Sequence, residues 1–192
     1  MKKQATSSDA VVPRAEAAPG DVGTGSSSDF TPLSLEKSVY ESLVAYGAPL
    51  LEWAPRCWLR LEETLPWALK LAHDNATVLR VLPLVLARYA TALNGQLLQE
   101  QAHAAGQEAE LGFLLELTAQ LTARDELAHL ARCFEDARPQ EPRYFFEPRS
   151  ARDRRLAELK TPAVARRWGL FLNMPEDSFS SLLAKHDPAL LS

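Results

Sequence analysis

Cysteine and histidine are scarce in this sequence of 192 residues, which contains two cysteines and four histidines. The two cysteines, Cys57 and Cys133, lie far apart, so the cysteine-dense framework of a small secreted domain is absent. We expect both to be buried thiols, because a free cysteine behaves as a small apolar residue. A disulfide between them stays open at this stage.

Motifs that carry catalysis are also absent. The chain has no Gly-rich phosphate loop, no GxSxG, no HExxH and no DxD pair. The tryptophans Trp53, Trp58 and Trp67 follow roughly helical spacing, which favours a place in the core over a ligand pocket. The sequence therefore argues against an enzyme, and it predicts no cofactor.

Long apolar runs are missing as well. The longest, Val78 to Leu86, is interrupted by Arg80 and Pro83, whereas a membrane-spanning helix needs about 20 apolar residues. The chain begins Met1-Lys2-Lys3 and continues with polar residues, without the apolar centre of a signal peptide. We expect a cytoplasmic protein without a membrane span. Export by a signal-peptide-independent route stays open, because such a route also uses a polar start.

The chain divides near residue 30. Residues 1–30 are rich in Ala, Ser, Gly, Pro and Asp, and they contain too few large apolar side chains to offset the entropy of ordering. They are predicted to form a disordered polar tail. In residues 31–192 apolar side chains recur every three or four positions, without strand alternation. The prediction is one all-α domain, a compact bundle of about six to eight helices.

Caps and helix breakers mark the predicted helices. Thr31-Pro32 starts the first helix, which Gly47 ends. Asn75 caps the longest predicted helix, which runs from Ala76 to about Ala105. Further helices are predicted to begin near Gln107, Asp125, Ser150, Thr161 and Pro175.

Two Glu-x-x-His pairs form the nearest approach to a metal signature. Glu100 with His103, and Glu126 with His129, each place a carboxylate and an imidazole on one helical face. Two such pairs, with two further glutamates, hold the metals of di-iron carboxylate bundles. The segments between the pairs are too short for a site at the middle of a bundle. We therefore expect solvated surface pairs, with a di-iron site as the third interpretation.

A basic stretch lies on an otherwise acidic chain. Residues 143–167 contain eight basic and three acidic residues, whereas the whole chain has a net charge of −4. Aromatic residues interleave with these arginines, as in proteins that bind single-stranded nucleic acids. Nucleic-acid binding is the second interpretation, and its candidate contacts are Arg152, Arg155, Arg166 and Arg167.

The leading interpretation concerns the loop at the start of this stretch. Tyr144, Phe145 and Phe146 lie between prolines that prevent a helix, and Arg143 and Arg149 flank them. One or two of these rings are expected to anchor a partner, while the others tie the loop to the bundle. The sequence thus favours a non-catalytic, bacterial helical adaptor or regulatory subunit that binds another protein, as part of a regulatory or secretion assembly.

Overall fold

A computed structural model describes residues 32–191, with side chains from residue 35 onward. This part of the chain contains nine α-helices, which confirms the all-α prediction. They are α1 Pro32–Ala45, α2 Leu61–Ala72, α3 Ala76–Tyr89, α4 Gly95–Ala105, α5 Glu108–Thr122, α6 Asp125–Arg132, α7 Ala151–Lys160, α8 Ala163–Arg167 and α9 Asp177–His186. Residues 1–31, which include the predicted tail, lie outside the described residues.

Polar caps start several of these helices as the sequence indicates. The Asn75 side chain accepts a hydrogen bond from the Thr77 amide at 3.0 Å, at the start of α3. The Ser150 hydroxyl accepts one from the Asp153 amide at 3.1 Å, at the start of α7. Each cap satisfies an amide that has no partner within the helix, so the helix begins at that residue.

The predicted long helix from Ala76 to Ala105 is wrong, because the chain turns between α3 and α4. Asn94 caps α4 by accepting a hydrogen bond from the Leu97 amide at 3.1 Å. The Asn94 amide in turn donates to Oε1 of Glu62 on α2 at 2.8 Å, so a buried carboxylate holds the turn against the bundle. Leu93 and Leu97 keep helical spacing across this turn, which hides it in the sequence.

Helix α5 is the centre of the bundle. Eleven of its fifteen residues are buried, and it contacts α2, α3, α4, α6 and α8. A helix that is apolar nearly all round must be enclosed by other elements. The rest of the bundle is therefore arranged around α5.

A two-residue parallel strand pair joins distant parts of the chain. Strand β1, Arg143–Tyr144, pairs with strand β2, Leu170–Phe171, in the register Arg143 to Leu170. The Phe145 amide extends this pairing by donating to the Phe171 carbonyl at 2.8 Å. The pairing fixes the loop that contains the predicted partner-binding residues.

Two expectations about burial are wrong. Cys57 and Cys133 are free, exposed thiols, because Cys57 lies in the irregular connection before α2 and Cys133 at the solvent-facing end of α6. Trp58 is 58% exposed rather than in the core, because it precedes the first residue of α2. No helix among residues 32–191 is long and apolar enough to span a bilayer.

Trp168 fixes the C-terminal part of the chain to α5. Its ring is fully buried and lies over Gly112, where an added Cβ would come within 2.2 Å of the ring. Its indole Nε1 donates to Glu116 on α5 at 2.5 Å, and the guanidinium of Arg138 lies 4.6 Å from the ring centre. The absence of a side chain at Gly112 is therefore what lets α5 and α8 approach each other.

We expect Gly112→Ala to lower the free energy of unfolding by about 2 kcal/mol. Overpacking a core costs about 1–3 kcal/mol, here at the upper end, and the better helix propensity of alanine returns about 1 kcal/mol. Gly95→Ala is the control, because its added Cβ meets only the end of the Leu130 side chain. Chemical denaturation of both variants checks this. A Gly112→Ala variant as stable as the wild type would contradict the packing described.

Candidate functional site

The connection between α1 and α2 is unusually long for a helical bundle. It spans residues 46–60, fifteen residues with no helix or strand of their own. Helix–helix connections in bundles usually have about 2–8 residues, and longer ordered ones commonly serve a function. We define residues 46–60 as the α1–α2 connection.

Two consecutive residues of α1 hold this connection in place. The Ser42 hydroxyl, fully buried, accepts hydrogen bonds from the amides of Trp58 at 3.0 Å and Leu59 at 3.2 Å. The buried carboxylate of Glu41 accepts one from the indole Nε1 of Trp58 at 2.5 Å, and the Glu41 carbonyl accepts one from the Arg56 amide at 3.1 Å. The connection is therefore ordered by the bundle although it has no regular structure.

Tyr46, the first residue of the connection, contacts residues near its other end. Its hydroxyl donates to the Leu59 carbonyl at 2.9 Å, and the Cys57 thiol lies 3.2 Å from the same hydroxyl. Burial raises the pKa of Tyr46 above its ordinary value, and the neighbouring Cys57 adds to this effect. The phenol therefore remains protonated and keeps its donor role in the neutral pH range.

The ordered connection presents apolar side chains to solvent. Leu51 is 99% exposed and Trp58 58% exposed, and Leu159 on α7 is the third large apolar residue exposed in the described part of the chain. Beside Leu51 lies a groove of about 400 Å³ between the connection, α1 and the start of α3. Its wall includes Trp53, whose ring stacks on that of Tyr40 with centres 4.7 Å apart. One of these exposed side chains, Leu51, thus lines a formed groove.

The structure divides the predicted partner-binding loop into inner and outer residues. Phe145 is buried and stacks on His73, with ring centres 4.3 Å apart. Tyr144 is half-buried against Phe171, and Phe146 is half-buried against Phe145. Tyr144 and Phe146 thus keep accessible edges, while Phe145 ties the loop to α2.

The two arginines of that loop differ in the same way. Arg143 bonds the buried carboxylate of Glu110 on α5 at 2.5 Å. Arg149 is exposed and lies with Phe146 at a cavity of about 230 Å³. Arg143 therefore anchors the loop, and Arg149 faces solvent.

His73 and Glu110 belong to one polar cluster beneath this loop. Nδ1 of His73 donates to the Phe145 carbonyl at 2.6 Å, because a carbonyl oxygen only accepts. Nε2 of the same ring lies 3.1 Å from the side-chain oxygen of Gln107. Oε2 of Glu110 is buried and has no hydrogen-bond partner in the described structure. Burial raises the pKa of Glu110, although the Arg143 guanidinium opposes this shift.

The four arginines of the nucleic-acid interpretation do not form one free surface. Arg166 donates to the carbonyl oxygens of Glu158 and Thr161, and Arg167 bonds Glu116 at 2.5 Å. Arg152 and Arg155 are exposed on α7, and neither has an ion pair within residues 35–191. Two of the four arginines therefore serve the fold.

The two Glu-x-x-His pairs have separate local contacts. Nδ1 of His103 lies 2.7 Å from Glu108, and Glu100 accepts a hydrogen bond from Gln96 at 3.0 Å. Nδ1 of His129 donates to the Asp125 carbonyl at 2.7 Å. In the part of the chain that the structure describes, no three His, Cys, Asp or Glu side chains are grouped closely enough to hold a metal ion. The two pairs thus do not come together as a dinuclear centre requires, and this holds for Glu126 as for the other three residues.

The α1–α2 connection is not among the sites predicted from the sequence. Its signal was present, because Gly47, Pro49 and Pro55 exclude a regular helix around an apolar run. Prolines likewise exclude a helix around Tyr144, and on that ground the Tyr144 loop is predicted to bind a partner. The roughly helical spacing of Trp53 and Trp58 instead predicts a place in the core for both.

We expect the stability difference between the wild type and Glu110→Gln to depend on pH. The raised pKa means that folded Glu110 binds its proton more tightly than unfolded Glu110, whose pKa is about 4.3. Protonation therefore favours the folded wild type. This contribution is fully present below about pH 4.3 and is lost as the pH rises through the raised pKa.

Urea denaturation between about pH 4 and pH 7 measures this difference. The wild type should gain relative to Glu110→Gln as the pH falls. Glu141→Gln, at an exposed loop position, is the control and should give a constant difference. A Glu110 difference that moves the opposite way would show that Arg143 outweighs burial.

Comparison with known proteins identifies no relative. No family model matches the chain, and neither the curated proteins nor the solved structures contain a match. The function must therefore be inferred from the residues of this chain and their geometry.

Proposed function

We propose that this chain is a non-catalytic helical adaptor or regulatory subunit that binds another protein through the α1–α2 connection. One observation carries the proposal: a long connection, fixed by Glu41 and Ser42, that leaves Leu51 and Trp58 exposed. A single exposed leucine is ordinary on a protein surface. An ordered segment that exposes a leucine and a tryptophan, with a groove beside the leucine, is typical of an interface.

Pre-organisation is the physical reason for this choice. Binding a mobile loop costs the entropy of ordering it, whereas the hydrogen bonds that Ser42 and Glu41 accept already hold residues 56–59 of this one. Tryptophan is also enriched among the residues that dominate binding energy. Binding through the connection thus loses little conformational entropy and buries a large apolar side chain.

The loop around Tyr144 supports the proposal less strongly. Phe145 is part of the core, so only the edges of Tyr144 and Phe146 remain for a partner, together with Arg149. We propose this loop as a second, smaller contact. The proposal also includes a cytoplasmic, bacterial setting in a regulatory or secretion assembly, which rests on the sequence alone.

Nucleic-acid binding ranks second. Arg152 and Arg155 on α7 are exposed and favour it, but Arg166 and Arg167 contact the protein itself. Affinity for nucleic acid grows with the number of phosphates that are neutralised. Only Arg152 and Arg155 of the four candidates have no side-chain bond in the described structure, and the chain as a whole is acidic, so a protein partner is the better-supported choice.

The test compares Leu51→Asp with Leu159→Asp. Both leucines are largely exposed, so neither change removes core packing, and only Leu51 belongs to the connection. The wild-type chain is used to capture its partner from source cells, and the complex is then rebuilt from purified proteins. We expect Leu51→Asp to raise Kd about tenfold or more, which corresponds to about 1.4 kcal/mol.

Leu159→Asp should bind within about twofold of the wild type, because Leu159 lies outside the α1–α2 connection and is not among the residues proposed for the smaller contact. Isothermal titration calorimetry gives both Kd values, and thermal unfolding shows whether the variants remain folded. Equal Kd values for the wild type and Leu51→Asp would contradict the proposed surface. Loss of binding in Leu159→Asp alone would place the contact on α7 instead.

A further inference from the structure

The groove beside Leu51 has an acidic border. Glu36 on α1 and Glu52 in the connection both line it, and both are exposed. Neither forms an ion pair with another residue of the described chain. Among the residues from 35 onward that line it, none is a lysine, arginine or histidine. The groove therefore offers two uncompensated carboxylates to whatever enters it.

One cation, Arg80, is hydrogen-bonded to a residue of the groove wall. Nη2 of Arg80 donates to the Thr77 hydroxyl at 3.3 Å, and Thr77 lines the groove. Arg80 is not among the residues that line the groove, and it forms no ion pair with Glu36 or Glu52 in the described structure. Arg80 therefore leaves the two carboxylates without a direct partner.

The wall between these carboxylates is apolar and aromatic. Leu50, Leu51 and Trp53 come from the connection, and Trp53 is held by its stack on Tyr40. The volume of about 400 Å³ lies within the range of sites that bind small ligands or large side chains. The groove thus combines an apolar wall with a negative border.

We infer that the α1–α2 groove binds a segment of a partner protein in which a large apolar side chain lies next to lysine or arginine. The apolar side chain packs against Trp53 and Leu50, and the neighbouring cation pairs with Glu36 and Glu52. Complementary charge favours such a segment and disfavours an acidic one. This inference rests on the proposed function and specifies the chemistry of its partner.

A second copy of this chain fits the groove less well. Helix α7 also combines an exposed leucine with arginines, but Leu159 is flanked by Glu158 as well as by Lys160, so this segment brings a carboxylate together with its cation. The Glu158 carboxylate would lie close to Glu36 and Glu52 if Leu159 entered the groove. Like charges at that distance oppose the contact.

Selection of peptides on the purified full-length chain tests the inference. Random twelve-residue peptides are displayed, selected for binding and sequenced, and selected peptides are synthesised for measurements of Kd. We expect them to carry a large apolar residue within about three positions of Lys or Arg, to bind at least tenfold more weakly to Leu51→Asp, and to lose affinity with added salt.

Charge reversal supplies the matched comparison. Glu36→Arg combined with Glu52→Arg should bind the selected basic peptides at least tenfold more weakly and should select acidic peptides instead. Glu141→Arg, an exposed reversal outside the groove, should bind as the wild type does. Unchanged affinity in the double reversal overturns the inference.

The outcomes separate the inference from the proposed function. Peptides that require Leu51 but lack basic residues overturn the inference and leave the proposed surface intact. Selection that yields no Leu51-dependent peptide removes support from both, and the partner titration with Leu51→Asp then decides the proposed function alone.

A photo-crosslinking residue in place of Leu51 identifies the occupant of the groove directly. The cross-link to the bound basic–apolar peptide, located by mass spectrometry, supports the inference. A cross-link to a second copy, or to residues 1–31 of the same chain, with no cross-link to the peptide, overturns it.

Discussion

Carboxylates on the helices hold the irregular segments of this protein in place. Glu41 on α1 binds the indole of Trp58, Glu62 on α2 binds the Asn94 amide, and Glu110 and Glu116 on α5 bind Arg143 and the Trp168 indole. Burying a carboxylate is unfavourable unless it receives hydrogen bonds, and bonds to a charged acceptor are among the strongest in proteins. The helices enclose the apolar core, but these contacts determine where the connections between them lie.

This constraint has a direct consequence for function. The α1–α2 connection has no regular structure of its own, so without Glu41 and Ser42 nothing on α1 would fix the position of Trp58. With them, residues 56–59 are held against α1, while Leu51 in the same connection remains fully accessible. The same contacts that complete the fold therefore also position Trp58 on the proposed surface. Fold and proposed function depend on one set of hydrogen bonds.

The helices could be predicted from the sequence because their signals are local. Apolar spacing and the caps Asn75 and Ser150 lie within a few residues of the helices they define. The buried glutamates could not, because a helical Glu62 or Glu110 has the same sequence pattern as a solvated one. Burial of Phe145 depends on His73, 72 residues away in the chain. A two-residue strand is likewise too short to show alternation.

Amide hydrogen exchange in residues 46–60, measured residue by residue with NMR, tests the central claim most directly. The account predicts that the amides of Arg56, Trp58 and Leu59 exchange slowly, because the Glu41 carbonyl and the Ser42 hydroxyl accept their hydrogen bonds. The Glu52 amide, for which the described structure shows no acceptor, should exchange much faster. Exchange of all four amides at the rate of an unstructured peptide would contradict a pre-organised connection.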